Sequence, residues 1–244
     1  LVFRKQYIIL LLGSLCVVAL IILGPVPQDQ NYHDFADQRK LWNVPNFLNV
    51  VTNLPFALVG FFGLKGAKDI KVKELRHIFY TLFIGFILVT LGSGYYHWLP
   101  KNATLVYDRI PITIILMSFF AFIIYSSINE TIGYNAFWIF NMIGVISVIY
   151  WIVSEKLGKG DLRWYGMVQF FPIIAMPLIL ILYKPRIKFG KEITLIFLFF
   201  GFAKFCETFD KEVYGLLDNI VSGHSLKHLL MAAAGYEIVV ITSK

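Results

Sequence analysis

Long apolar runs separated by short polar segments dominate the chain. Six runs, residues 7–24, 46–64, 78–97, 110–129, 131–154 and 164–183, contain no Asp, Glu, Lys or Arg. Two more are nearly as apolar: 193–209 carries Lys204 and Glu207, and 224–242 carries Lys227 near its start and Glu237 near its end. A spanning helix needs about 20 mostly apolar residues, and these runs reach or approach that length. They are too long for strands, and none alternates with a period of two, so the pattern argues against a barrel. It predicts an all-α membrane protein with eight spans.

Composition agrees. The chain is 58% hydrophobic and 15% charged, against about 25% charged for an ordinary soluble domain. The net charge of +7 raises nucleic acid as a partner, but the basic residues form clusters beside the apolar runs rather than one basic face, so no nucleic acid is expected. Lys65, Lys68, Lys71, Lys73 and Arg76 lie in segment 65–76. Lys184, Arg186, Lys188 and Lys191 lie in segment 184–191, and Arg4 and Lys5 precede the first run. With eight spans all three clusters share one side, and the bias of Lys and Arg makes that side cytoplasmic. Both termini then face the cytoplasm, and segments 29–46, 98–109, 155–163 and 210–223 face the other way. Phe3-Arg4-Lys5 before an apolar run is signal-like, but the run is long and Gly24-Pro25-Val26-Pro27 makes a poor cleavage site, so a retained helix is expected. Cys16 and Cys206 both fall in apolar runs and read as packing residues. No internal repeat or low-complexity tract is present.

Polar side chains at membrane depth are costly and tend to be functional. His97 ends the third run, Asp108 opens the fourth, and His224 and His228 begin the eighth. The topology puts all four at the non-cytoplasmic end. At i, i+4 spacing, His224 and His228 stack on one helix face about 6 Å apart along the axis. With a third imidazole from another helix they would hold a metal and leave one position open, the pattern of a catalytic zinc site; interfacial histidines bonded to loop carbonyls are the bland alternative. Ser93 shares the face of His97 and could serve a metal-bound water or an oxyanion, or be a small residue in Gly92-Ser93-Gly94 that lets helices pack closely. Asp108 could orient or deprotonate water, and Pro111 makes an N-cap role plausible too. Arg109 reads as an interface anchor. His77 belongs to the cytoplasmic end, and His33, in the first outer segment, lacks a spacing that supports ligation. Lys204 and Glu207, at i, i+3, are expected to pair, and Gln169 reads as helix-to-helix glue.

Gly92-Ser93-Gly94-Tyr95-Tyr96-His97, Asp108 eleven positions later and His224-Ser225-Leu226-Lys227-His228 together resemble the alkaline ceramidase family, part of the CREST superfamily of membrane hydrolases that also includes the adiponectin-type receptors. Residues 46–53 look like that family's first core helix, and the resemblance covers about 30–242. It implies a seven-transmembrane-helix core bundle, 29–244, with one additional N-terminal transmembrane helix, 1–28. It further implies a zinc amidase acting on a ceramide-like lipid within the bilayer. His97, His224 and His228 would bind zinc, Asp108 would act on the metal-bound water, and Ser93 would stabilise the oxyanion. Animal and fungal ceramidases also carry calcium before the first core helix. By spacing, Asp37 and Asn46 fall where two of those ligands would be, and the other positions do not match. Two other classes remain: a seven-helix lipid or peptide receptor with structural zinc, and a metal or proton transporter. A transporter would need polar groups at several depths, whereas here they gather at one end.

Overall fold

The computed structural model describes residues 5–187 and 189–243. Arg4 and Lys188, counted above among the basic clusters, lie outside the described residues. The helices are α1 (Lys5–Leu23), α2 (Phe47–Val51), α3 (Leu54–Ala67), α4 (Lys73–Trp98), α5 (Asn102–Ser127), α6 (Glu130–Lys156), α7 (Arg163–Leu182), α8 (Glu192–Thr208), α9 (Asp210–Leu216) and α10 (Gly223–Thr242), with a 3-10 turn at Gln30–His33. Among the described residues the only extended pairing is an isolated bridge between Leu41 and Val44.

Among the described residues six spans are long and apolar enough to cross a membrane: Phe47–Ala67, which joins α2 and α3, and α4, α5, α6, α7 and α10. A shorter apolar helix covers Tyr7–Leu23. The protein is an integral membrane protein. Helix α8 has 17 residues and carries Glu192, Lys204 and Glu207.

Three local features depart from the hydropathy pattern. The run 46–64 is broken between α2 and α3. There Thr52 donates its hydroxyl to the Leu48 carbonyl at 2.6 Å, and the Asn53 amide donates to the Asn49 carbonyl at 2.7 Å. Side chains that bond to nearby backbone compete with the helical ladder, and Pro55 has no N–H to continue it. The second departure is that α5 starts at Asn102, so Asp108 lies inside the helix rather than at its cap and Pro111 is internal. Third, the polar segment 210–223 contains α9.

The chain packs as two compact units. One holds Leu1–Asp29 and Thr113–Lys188. Here α1 is tied to α7 by Lys5 Nζ donating to the Leu182 carbonyl at 2.6 Å and by Arg163 donating to the Leu20 carbonyl at 2.8 Å. Arg163 also hydrogen-bonds Asp161 and holds that carboxyl down at about 2. The other unit holds Gln30–Ile112 and Phe189–Lys244, and in it α3 packs on α4 and α10 while α10 packs on α8. Two glycines permit approaches that shape the site. A Cβ at Gly223 would collide with the Cys206 carbonyl, so α10 begins hard against α8. A Cβ at Gly92 would collide with the Tyr107 carbonyl, whose helical donor is missing because Pro111 has no N–H. Helix α4 therefore lies directly on the first turns of α5, beside Asp108.

Candidate metal centre and active site

The second unit brings the polar residues of three helices together. The last turns of α4 carry Ser93 and His97, one turn apart on one face. The first turns of α10 carry His224 and His228. Ser222 caps α10 by accepting from Ser225 N at 3.1 Å, which fixes where the helix starts and which way both histidines point. Asp108 comes from α5, and the Ser93 hydroxyl faces its carboxyl. All five side chains are buried.

The three imidazoles form a nearly equilateral triangle. Ring centroids are 4.8 Å apart for His97–His224, 4.9 Å for His97–His228 and 5.0 Å for His224–His228. One ring nitrogen from each lies within 4.8 Å of the other two. Tetrahedral zinc, with Zn–N of about 2.0–2.1 Å, holds its nitrogen ligands about 3.3 Å apart, and His97 Nε2 and His224 Nε2 are 3.3 Å apart. His228 Nε2 and His97 Nδ1 are buried with no hydrogen-bond partner. Leaving such an atom unsatisfied costs about 1–3 kcal/mol, and a cation shared by the rings removes that cost for a nitrogen that binds it. The three close, buried histidines can bind a metal, and the donor set fits zinc.

Surrounding groups orient the triangle. Thr52 Oγ1 lies 2.9 Å from His228 Nδ1. Asp210 accepts the His224 backbone N–H at 2.7 Å and the Ala36 N–H at 2.8 Å, joining the segment 29–46 to the start of α10. Phe35, fully buried in that segment, meets the rings of His97 and His224 with centroids 4.8 and 4.7 Å away. Asn49 Oδ1 accepts from Ser225 Oγ at 2.8 Å and Ser222 Oγ at 3.2 Å. Glu207 pairs with Lys204, as the i, i+3 spacing predicts, and also with Lys227 at 3.2 Å. Lys227 Nζ lies 2.9 Å from His224 Nε2.

Other sequence candidates fall elsewhere. Both Asp37 oxygens are taken by the Arg39 guanidinium, at 2.8 and 2.7 Å. Burial pushes the Asp37 carboxyl up, but the Arg39 hydrogen bonds and charge outweigh it and hold the group below its ordinary value. Asn46 donates to the His97 carbonyl at 2.8 Å. As they stand these two residues do not fit a calcium site: the carboxylate is bound to a cation already, and the amide points its N–H₂ at backbone. His33 approaches the region through Tyr96 OH at 2.8 Å and Asn102 Oδ1 at 2.9 Å. Cys16 and Cys206 are free thiols. Sequence reasoning did not single out Thr52, Asp210 or Phe35, and it treated Lys227 only as a charge near a helix start. Lys227 did carry a visible signal, since it sits between the two histidines of the HxxxH segment.

A search of curated proteins found no match. A family model described as Ceramidase matches residues 41–243, which include every residue of the histidine triangle together with Ser93, Asp108 and Thr52. That match covers most of the chain, and on it this protein belongs to the ceramidase family.

Proposed function

We propose that the protein is a membrane-embedded, zinc-dependent amide hydrolase that cleaves a ceramide-like N-acyl lipid into a fatty acid and a sphingoid-type amine. Family membership supports hydrolysis of ceramide. The observation that carries the zinc reading is the buried triangle of His97, His224 and His228 beside a Ser93–Asp108 pair. His97, His224 and His228 would hold the ion, which in such a site acidifies water and polarises a carbonyl. Asp108 takes a proton from the attacking water as its oxygen bonds to the acyl carbon, and returns that proton to the nitrogen as the C–N bond breaks. Ser93, on the same helix face as His97, would stabilise the oxyanion that develops on the acyl oxygen. Phe35 closes the outer side of the triangle and excludes bulk water.

The family match begins after α1, which supports the division into an N-terminal helix, 1–28, and a seven-helix catalytic body, 29–244. Counting α1 and α8 as spans gives eight crossings. With the basic clusters inside, both termini are cytoplasmic and the histidine site lies toward the opposite face. The test is incubation of purified protein with a panel of N-acyl lipids, measuring released fatty acid with and without a zinc chelator. Turnover on a ceramide-like lipid that is lost on chelation is expected. No turnover by fully zinc-loaded protein on any member would sink the reading.

A further inference from the structure

The segment before α2 lies across the end of the second unit where α4 stops and α10 starts. Phe35 and Asp37 are buried in it, and Asp34 and Gln38 on either side of them are exposed. Asp34 pairs with Lys211 at 2.7 Å, and their side chains are 52% and 66% exposed. An ion pair this exposed belongs to a face that meets water. On the other face, the Phe35 ring packs on His97 and His224. These are the two histidines nearest the helix ends, whereas Ser93 and His228 lie one turn deeper along α4 and α10. Phe35 therefore stands between water and the histidine triangle.

The segment is fastened on both sides of Phe35. Before it, His33 bonds Tyr96 OH at 2.8 Å and Asn102 Oδ1 at 2.9 Å. After it, Asp210 gives one oxygen to each of two backbone N–H groups: Oδ2 to Ala36 and Oδ1 to His224. One carboxylate thus ties the neighbour of Phe35 to a histidine that Phe35 covers. Both bonds are charge-assisted, the stronger kind. An amide in place of Asp210 would offer one acceptor oxygen to two donors. Lifting the segment must also expose the phenylalanine ring, which by itself disfavours the open form about ten- to hundred-fold.

We propose that Phe35 is a specificity-determining residue and that Asp210 is the clasp that positions it. Together they shut the route from water to the triangle, so the site selects amides held in the bilayer over amides dissolved in water. Selection of this kind works through a barrier to the wrong substrate rather than a contact with the right one. The proposal rests on the amide-hydrolase reading for what the substrate is. The barrier itself is measured without turnover.

The experiment uses the full-length, zinc-loaded protein in a non-ionic detergent. The rates of zinc removal by EDTA and of reloading are followed, and the equilibrium zinc affinity is measured on the same samples. Phe35→Ala, or Phe35→Val if the first variant folds poorly, should speed removal and loading alike by about ten- to hundred-fold. Its affinity should stay unchanged, because a barrier acts equally in both directions. Phe35→Leu should stay near wild type, and Asp210→Asn should share the acceleration. The small variant should also gain turnover of water-soluble N-butanoylethanolamine relative to a long-chain N-acyl lipid. Unchanged exchange rates in the small variant overturn the proposal. So does faster removal matched by lost affinity, which would make Phe35 a mere support for the ligands. A small variant that hydrolyses the lipid but gains nothing on the soluble amide overturns the specificity role, and Asp210→Asn exchanging at the wild-type rate overturns the clasp. If exchange quickens but no protein hydrolyses any amide, the barrier stands and the hydrolase reading falls.

Discussion

Thr52 Oγ1 lies 2.9 Å from His228 Nδ1 while its own proton goes to the Leu48 carbonyl at 2.6 Å. With that proton committed, the hydroxyl oxygen can only accept, so His228 Nδ1 must be the protonated nitrogen. The bare lone pair is then on Nε2, the atom that has no other partner. The break between α2 and α3 thus fixes the tautomer of a candidate metal ligand. Removing such a partner typically lowers metal affinity about 10–100-fold. Thr52→Val should weaken zinc binding by that order, and Thr52→Ser should restore it. Competition with a chromophoric chelator measures this, and equal affinity for wild type and Thr52→Val would show that Thr52 does not orient the ring.

The triangle itself predicts zinc stoichiometry. One ion per chain should copurify, and His97→Ala, His224→Ala and His228→Ala should each lower it sharply, because a catalytic zinc site is held by three protein ligands and each variant removes one. Elemental analysis of detergent-purified protein is sufficient. Unchanged zinc in all three variants would remove the basis of the mechanism.

Much of this was legible in the sequence, for a physical reason: uncharged runs of about 20 residues have few options other than spanning a bilayer. The His, Ser and Asp set was legible because helical spacing and topology bring those residues to one end without knowledge of tertiary contacts. The start of α5 was not, because Pro111 reads equally well at a first turn or inside a helix. Nor was the break at Thr52, where the polar side chains that interrupt the ladder sit in an otherwise apolar run. The supporting contacts were hidden for another reason. Thr52 and His228 are 176 positions apart, and Ala36 and Asp210 are 174 apart, so no local pattern records them.

The Asp37–Arg39 pair gives a prediction with a definite pH sign. The folded carboxyl is held below its ordinary value of 3.8. Its stabilising contribution is therefore present above that value and is lost as pH falls through the lower, folded one. Asp37→Asn should melt below wild type at neutral pH, and the gap should close as the pH drops below about 4. Since Arg39 already neutralises this carboxylate, millimolar calcium should leave the wild-type melting temperature unchanged. A calcium-dependent rise that Asp37→Asn abolishes would mean that Arg39 gives way to the ion.

Topology is open to a separate test. Reporter fusions after the C-terminus and near Asp69 should report the cytoplasmic side, and a fusion near Asn102 the opposite side. This expectation rests on the basic cluster of 65–76. A C-terminal reporter on the outer side would mean either an odd number of crossings, with α1 or α8 dropped from the spans, or an inverted chain.

The remaining prediction separates a working site from a structural one. If metal at the triangle served only to hold helices together, Asp108 would be a supporting hydrogen-bond acceptor, and its amide analogue would change little. If the site activates water, Asp108 must accept and return a proton, which an amide cannot do. General acid–base groups contribute about 10² to 10⁴ in rate. Asp108→Asn should therefore retain zinc and fold but lose that much turnover on a ceramide-like lipid. Ser93→Ala should also retain zinc and lose less, because the metal would still polarise the carbonyl. Its loss should appear in kcat more than in KM, since the oxyanion develops only on the way to the transition state. Turnover, zinc content and melting temperature measured together on wild type and both variants distinguish the cases. Asp108→Asn with unchanged turnover would reject the proton-transfer role while leaving the metal site intact. Ser93→Ala with unchanged turnover would reject the oxyanion role for its hydroxyl.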